Sequence, residues 1–240
     1  MTTLTVLYDN RTTRADLKPD WGFSCFIEGL EDVILFDTGG DGATLLMNAA
    51  AIGADLKRVD TVVISHAHDD HAGGLADLLD ASGTGKRVVL LESFPERLAE
   101  AARAGGANVV YAASPFELCA GARTSGELGE GDGIREQCLV LEDRRGVAVI
   151  TGCAHPGIVG IVETLKETTG QPVTSVLGGF HLFRESAEAA DDVASRLRDL
   201  GVERVAPCHC TGEVAIERFA YAYEEGFVRC EAGAVMKLGA

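Results

Sequence analysis

The sequence predicts an α/β fold in which two mixed β-sheets pack face to face between outer helices, a four-layer αββα sandwich. Three observations support this prediction. Short apolar segments alternate with segments of helical periodicity. Hairpin-like strands come first, then β-α units, then a second strand cluster and further β-α units. At 240 residues, of which 46% are hydrophobic, the chain is long enough for one large domain over residues 1–240.

Strands are predicted where short runs of Val, Ile, Leu and Phe are bounded by Gly, Asp or Pro. In chain order they are Leu4–Tyr8, Phe23–Glu28, Val33–Phe36, Thr61–Ile64, Val88–Leu91, Asn108–Tyr111, Gln137–Glu142, Val147–Ile150, Val173–Leu177, Arg204–Ala206 and Ala234–Leu238. Helices are predicted where apolar residues recur at helical spacing, as Val193, Leu197 and Leu200 do. In chain order they are Gly42–Ala51, Leu75–Leu79, Pro95–Ala104, Ile158–Thr168, Ser186–Leu200 and Glu213–Glu224. The glycine-rich segment 121–134 is predicted as a flexible surface loop.

Composition and charge weigh against several functional classes. A net charge of −16 with only 21 basic residues does not suit a nucleic-acid-binding surface, which requires clustered Lys and Arg. The N-terminal Met1–Val6 lacks the pattern of a signal peptide, and no apolar run approaches the roughly 20 residues that span a bilayer. Seven irregularly spaced cysteines suit a reducing compartment better than a disulfide framework. We therefore expect a cytoplasmic protein without nucleic-acid or membrane partners.

The most informative segment is Ser65–Gly74, which carries three histidines within six residues directly after an apolar strand. His66 and His68 are two residues apart, so they point the same way on an extended segment. Asp70 and His71 follow where the chain turns toward two glycines. Imidazole nitrogens and carboxylate oxygens bind Zn²⁺ at about 2.0–2.2 Å. Two pairs of such ligands on one loop predict a site for two adjacent metal ions.

Three later histidines, His155, His181 and His209, also follow apolar strands. Strand ends that face one edge of an α/β sandwich are where such folds assemble ligand sites. The sequence therefore predicts that these histidines join the first cluster.

The His-x-His-x-Asp-His pattern after a buried strand resembles the hallmark of the metallo-β-lactamase superfamily. The resemblance implies one metal ion on His66, His68 and His155 and a second on Asp70, His71 and His209. Asp37, in a strand-end Asp-Thr-Gly similar to that of the superfamily, is implied to orient ligands without binding metal.

The chain is also similar to a narrower branch labelled 7,8-dihydropterin-6-methyl-4-(β-D-ribofuranosyl)aminobenzene-5'-phosphate synthase. This similarity rests on the main motif and on Tyr8-Asp9-Asn10, Trp21-Gly22-Phe23-Ser24, Asp37-Thr38-Gly39, Thr151-Gly152-Cys153-Ala154-His155, Gly178-Gly179-Phe180-His181 and Pro207-Cys208-His209-Cys210-Thr211-Gly212. It implies that Asn10 and Trp21 line the mouth of the pocket.

Two positions depart from the superfamily pattern or exceed its ligand count. Many superfamily hydrolases have a Gly-Asp whose carboxylate bridges the metals, where this chain has Gly152-Cys153. Two interpretations of Cys153 stay open, a thiolate ligand of one metal or a small buried hydrophobic residue. His181 is left over from the ligand set. It either protonates a leaving group or hydrogen-bonds a substrate phosphate, or it supports a ligand or caps a strand without touching substrate.

Together these features predict a metal-dependent hydrolase with a binuclear site. A metal-activated water attacks an ester or phosphoester of a small anionic substrate, pterin-related compounds included. Asp70 would orient the water while His181 acts on the leaving group. Zinc is expected as one or two ions, and iron or manganese also suit the ligands. The alternatives are an iron-dependent redox enzyme acting on oxygen or persulfides and a non-catalytic metal-binding scaffold.

Overall fold

In a computed structural model, which describes residues 1–131 and 133–239, two mixed β-sheets pack face to face. The strands of the first sheet are β1 (Thr2–Tyr8), β2 (Ser24–Glu28), β3 (Ile34–Phe36), β4 (Thr61–Val63), β5 (Arg87–Leu90), β6 (Asn108–Tyr111) and, at its other edge, β13 (Val235–Leu238). The strands of the second sheet are β7 (Phe116–Cys119), β8 (Ala122–Thr124), β9 (Leu139–Asp143), β10 (Gly146–Thr151), β11 (Val173–Gly179) and β12 (Arg204–Cys208).

Both sheets change from antiparallel to parallel pairing along their width. The first has the order β13-β1-β2-β3-β4-β5-β6 and is antiparallel as far as β3, then parallel. The second has the order β12-β11-β10-β9-β8-β7 and is parallel as far as β10, then antiparallel. The parallel strands β3 and β4 of one sheet and β10, β11 and β12 of the other are those whose carboxyl ends carry the predicted site residues.

The helices cover the outer faces of the sheets. They are α1 (Gly42–Ile52), α2 (Asp69–Ala72), α3 (Leu75–Ser82), α4 (Glu96–Ala104), α5 (Ile158–Thr169), α6 (Ala187–Asp199) and α7 (Glu213–Tyr223), with short 3₁₀ turns at Leu56–Arg58, His209–Thr211 and Glu224–Gly226. Within the described ranges, no helix has the length and apolar character needed to cross a bilayer.

The apolar strands are buried on both faces, and β3 shows how. Ile34 and Phe36 point into the cluster between the two sheets, whereas Leu35 packs against the outer helices beside Leu45 and Leu75. A strand buried on both faces reads as a continuous apolar run. The predicted four-layer αββα architecture is therefore confirmed.

One local prediction is wrong. The segment 121–134 is not loop throughout, because Ala122–Thr124 forms β8, which pairs antiparallel with β9 and with the unpredicted β7. Ala122 and Thr124 are buried and Arg123 is exposed, which is the alternation of a half-buried strand. Three residues are too few for this alternation to stand out in a sequence beside glycines.

Candidate metal centre

The loops that follow β4, β10, β11 and β12 bring six histidines together at one edge of the sandwich. The ring centroid of His66 lies 4.6 Å from that of His155 and 4.1 Å from that of His71. The ring of His71 is in turn 4.9 Å from that of His209, and the ring of His155 is 4.5 Å from that of His181. Residues from four separate loops thus form a single cluster.

The two predicted triads both assemble. The ligand atoms of His66, His68 and His155 all lie within 4.8 Å of one another, and so do those of Asp70, His71 and His209. His66, His71 and His209 are buried, whereas His68 is exposed and Asp70 is half-buried. The first triad therefore opens to solvent through His68 and the second through Asp70.

Hydrogen bonds fix the tautomer of His66. The Ser65 hydroxyl donates to Asp37 Oδ2 at 2.7 Å, which uses its only proton. At 2.8 Å from the same hydroxyl, His66 Nδ1 must therefore be the donor. The Nε2 atom of His66 is then an unprotonated acceptor, and it is buried without a hydrogen-bond partner. Burial lowers the pKa of His66 well below its ordinary value, so this acceptor is not neutralised by a proton.

Three further histidines are held by the same kind of contact. His71 Nδ1 donates to Asp37 Oδ2 at 2.7 Å, and His155 Nδ1 donates to Glu136 Oε2 at 3.1 Å. His209 Nδ1 donates to Asn10 Oδ1 at 2.9 Å. A ligating histidine that donates its other ring N–H to an oxygen is the usual arrangement at protein metal sites. The Nε2 atoms of His71 and His209 face each other across 3.1 Å.

The second triad has the spacing of ligands that share an ion. His71 Nε2 and His209 Nε2 are 3.1 Å apart, close to the edge of about 3.3 Å in a tetrahedron with bonds of about 2.0 Å. Asp70 Oδ2 lies 3.4 Å from His209 Nε2 and 3.8 Å from His71 Nε2. Burial lowers the pKa of His71 to about 3. Two acceptor nitrogens this close require a cation between them, so the residues present fit a bound metal ion.

Without a metal, a proton takes the place of that cation. Burial opposes a charge on His209, but the hydrogen bond to Asp70 outweighs it and raises the pKa of His209. For Asp70, burial favours the neutral carboxyl, but the hydrogen bond from His209 and the electrostatic influence of the neighbouring histidines hold its pKa well below the ordinary range. Asp70 is thus ionised at neutral pH, as a metal ligand or a water-orienting group must be.

Strained backbone surrounds the cluster. Asp37, Ala154, His181 and His209 have φ values of 59°, 57°, 53° and 48°, in the left-handed region that non-glycine residues seldom adopt. Each follows a strand end at this edge of the sandwich. Such conformations cost about 1–3 kcal/mol each and concentrate at functional sites.

Gly152 allows the two sheets to approach at the site. A Cβ atom at this position would lie 2.0 Å from Ser65 Oγ and 3.0 Å from Asp37 Oδ2. The absence of a side chain at Gly152 therefore lets the loop after β10 reach the residues that orient His66 and His71.

A sequence profile of the Metallo-beta-lactamase superfamily matches residues 20–209. The chain belongs to this superfamily. A Methanocaldococcus jannaschii protein named 7,8-dihydropterin-6-methyl-4-(beta-D-ribofuranosyl)-aminobenzene-5'-phosphate synthase is 27% identical over 269 aligned residues, which cover 92% of each chain. The solved structure of Tm1679, described as a metal-dependent hydrolase of the beta-lactamase superfamily, is 28% identical, covers 100% of both chains and has a TM-score of 0.83. A diphosphatase of the PhnP family shares the fold at 15% identity, with a TM-score of 0.64 over 99% of this chain and 98% of the other.

Metallo-β-lactamase superfamily proteins bind metal ions, and the residues of both triads lie within the matched range 20–209. Asp37 contacts the second triad directly and the first through Ser65. Its Oδ1 accepts from the Ser65 amide at 2.6 Å, and its Oδ2 accepts from His71 and from the Ser65 hydroxyl, which also contacts His66 Nδ1. Asn10 Oδ1 accepts a hydrogen bond from His209 Nδ1 and a second one from the Gly22 amide at 3.1 Å.

Cys153 lies at the junction of the two triads. Its Sγ is 3.3 Å from His71 Nε2. It also lies within 4.8 Å of one ring nitrogen of His66 and one of His71. The side chain therefore points at the histidines and not into one of the apolar clusters. This geometry places the Cys153 thiol among the ligand atoms. The hydrogen bond with Cys210 and burial raise the pKa of this thiol, so a thiolate there would require a bound metal ion.

Cys210 was not predicted to belong to the site, yet its Sγ contacts the backbone carbonyl oxygen of Cys153 at 3.6 Å. The Sγ atoms of both cysteines fall within 4.8 Å of each other and of a nitrogen of His209. Burial opposes ionisation of the Cys210 thiol, but the hydrogen bonds with Cys153 and His181 outweigh it and lower its pKa. Sequence spacing gave no sign of this contact, because 57 residues separate the two cysteines.

Glu136 is a second residue that sequence reasoning missed. It is fully buried at the start of the chain segment leading into β9, and its carboxylate accepts four hydrogen bonds from the turn 153–155. The one signal that could have found it is a carboxylate placed directly before an apolar strand, where a charge is not expected to be buried unpaired.

Proposed function

We propose that this protein is a metal-dependent hydrolase of small anionic phosphoesters. The single observation that carries the proposal is the arrangement of His66, His71, His155 and His209. Each donates Nδ1–H to an oxygen, which leaves its Nε2 to bind a metal ion. Metal ions held there would supply Lewis acidity and a coordinated water whose pKa falls toward about 7.

Asp70 is the residue we assign to orient the attacking water. Its carboxylate is part of the second triad but keeps 22% of its side chain exposed, so one face remains open to solvent. Because its pKa lies well below neutrality, it accepts a hydrogen bond from water throughout the physiological pH range. Zinc is the metal we propose first, since imidazole with carboxylate or thiolate suits it.

His181 is the group we assign to protonate the leaving oxygen. Its ring lies 4.5 Å from that of His155, tilted by 47°, at the exposed side of the cluster. The hydrogen bond with Cys210 raises the pKa of His181 despite partial burial, so the imidazolium persists closer to neutral pH. A positioned acid of this kind contributes about 10²–10⁴-fold to the rate.

Asp70→Ala tests the proposal, with Asp69→Ala as the matched control on the same short helix. Asp69 is exposed and belongs to neither triad. After metal analysis of protein purified without chelator, both variants are assayed on a panel of phosphomonoesters and phosphodiesters. We expect Asp70→Ala to lose about 10²-fold or more and Asp69→Ala to keep wild-type rates. Wild-type activity in Asp70→Ala would contradict the mechanism.

His181→Gln separates the leaving-group role from strand capping. A proton donor matters for an alkoxide leaving group and little for p-nitrophenolate, which leaves as an anion. We expect a large fall in kcat for alkyl esters and a small one for p-nitrophenyl esters, and an equal fall for both would reject the role. The Methanocaldococcus jannaschii relative is named a synthase, so stoichiometric metal with no hydrolysis across the panel would favour group transfer instead. Stoichiometric iron without hydrolysis would favour the redox alternative.

A further inference from the structure

The metal-binding cluster is continued at the protein surface by aromatic side chains. The Trp21 ring lies 5.0 Å from the His209 ring, and the Phe183 ring lies 5.4 Å from the His181 ring. Trp21 and Phe183 meet edge to face with centroids 6.0 Å apart. Because His209 belongs to the second triad and His181 contacts the first, the two aromatic rings bridge the outer side of the whole centre.

Both rings are exposed where folding alone would favour burial. The exposed fractions are 50% for Trp21 and 41% for Phe183. Adjacent exposed aromatics rimmed by polar groups are typical of binding surfaces, whereas isolated ones are not. The two residues therefore form a surface, here called the aromatic rim, that stays about half exposed.

The backbone holds the aromatic rim rigidly against the centre. At Gly22, next to Trp21, a Cβ would lie 2.4 Å from the Asp70 carbonyl oxygen. At Gly212 a Cβ would lie 2.6 Å from Phe183 Cα, and the Phe183 amide donates to the Cys210 carbonyl at 3.2 Å. Each aromatic is thus packed against a loop that carries a metal triad. A rim positioned in this way is pre-organised for a ligand.

A positive charge accompanies the rim. The Arg184 guanidinium carbon lies 5.1 Å from the centroid of the Phe183 ring. Across residues 1–131 and 133–239, no carboxylate pairs with Arg184 within 4.0 Å, although the chain carries 37 acidic residues against 21 basic ones. Arg184 therefore retains an uncompensated charge beside the centre.

We propose that the aromatic rim is a subsite for a planar aromatic or heteroaromatic ring carried by the substrate. The ring lies across Trp21 and Phe183, since 6.0 Å between their centroids leaves no space for insertion. Its anionic ester reaches the triads, drawn by Arg184. This inference rests on the proposed function, because the metal centre must hold the anionic end.

Two non-hydrolysable probes separate the ring from the anion. Phenylphosphonate and methylphosphonate carry the same anionic group, and only the first has a ring. Their binding to the zinc-loaded protein is followed by calorimetry and by the fluorescence of Trp21, the single tryptophan of the chain. We expect phenylphosphonate to bind about tenfold more tightly, the size of one or two favourable ring contacts.

Variants then locate the preference. Trp21→Ala and Phe183→Ala should each lower phenylphosphonate affinity severalfold and leave methylphosphonate affinity unchanged. Arg184→Gln should weaken both probes about threefold, without changing their ratio, in a salt-dependent manner. Tyr221→Ala is the matched control, because Tyr221 is 78% exposed and lies 5.8 Å from the Arg218 guanidinium but contacts no ring of the centre.

The outcomes distinguish the two proposals. Equal affinity for both probes, or a ring preference that survives Trp21→Ala and Phe183→Ala, would overturn the subsite while leaving the hydrolase proposal intact. If neither probe binds in a zinc-dependent manner, both the subsite and the hydrolase proposal are overturned, because the anion would then have no site. A preference lost in the two rim variants and retained in Tyr221→Ala establishes the subsite.

Discussion

Glu136→Gln tests whether one buried carboxylate organises the turn that presents Cys153 and His155. Glu136 Oε1 accepts from the amides of Cys153 and Ala154 at 2.8 and 2.9 Å. Its Oε2 accepts from the amide and from Nδ1 of His155 at 2.9 and 3.1 Å. Burial opposes the charge, but the hydrogen bond from His155 and the neighbouring His66 hold the pKa of Glu136 well below its ordinary value.

A glutamine has one oxygen and one NH₂ group, so two of the four donors would face a donor in either orientation. Each unsatisfied buried donor costs about 1–3 kcal/mol. We expect a loss of about 1–6 kcal/mol in unfolding free energy, because a change of tautomer at His155 would relieve one of the two mismatches. If the NH₂ group turns toward His155, Nδ1 must become the acceptor and the proton moves to Nε2. The lone pair that binds metal is then lost, and zinc affinity should fall about 10–100-fold.

Urea unfolding of metal-free and zinc-saturated protein measures both effects. At saturating zinc, a 10–100-fold weaker site gives about 1.4–2.7 kcal/mol less stabilisation by zinc than in the wild type. Glu142→Gln is the control, since Glu142 lies on β9, just after the Glu136 segment, and is exposed. A Glu136→Gln protein within about 0.5 kcal/mol of wild type in both states would refute the assigned role.

Three further predictions concern Gly152, Cys153 and Asp9. Gly152→Ala should destabilise the protein by about 1–3 kcal/mol in urea unfolding, because its Cβ would lie 2.0 Å from Ser65 Oγ. Gly160→Ala, where a Cβ meets nothing within 4 Å in α5, should stabilise it by about 0.5–1 kcal/mol, and equal effects would contradict the packing argument. Cys153→Asp should raise metal content toward two ions per chain on elemental analysis, whereas global unfolding would reject the ligand position. Burial raises the pKa of Asp9 to about 6, so its folded form binds a proton more readily than the unfolded chain. Its stabilising contribution is complete below about pH 4 and is lost as the pH rises through about 6, a change of about 3 kcal/mol. In metal-free protein, Asp9→Asn should therefore gain stability relative to wild type between pH 4 and pH 8, and parallel pH profiles would contradict this.

The local part of the site could be predicted because its determinants are contiguous in sequence. His66, His68, Asp70 and His71 lie on one turn, so their spacing alone indicates a ligand cluster. The apolar strands were likewise visible, since burial on both faces leaves uninterrupted apolar runs. The short strand β8 was not predicted, because three residues are too few to show the alternation of buried and exposed side chains.

The contacts that complete the site join distant parts of the chain. Asn10 and His209 are 199 residues apart, and Glu136 reaches a turn 17–19 residues further on across β9 and β10. Their meeting depends on the order and register of strands in two sheets, such as the parallel pairing of β10 with β11 and of β11 with β12. The sequence around one residue of such a contact contains no pattern that identifies the residue at the other end.

By itself the sequence determined the layered α/β class, the histidine-rich strand ends and the kinds of atom available to a metal ion, because periodicity and ligand chemistry are local properties. Only the tertiary structure decided that Cys153 points at the histidines, that Glu136 and Asn10 hold His155 and His209, and that Trp21 and Phe183 meet above the centre. These are distances between side chains on separate loops, and they are set by how the two sheets pack and pair.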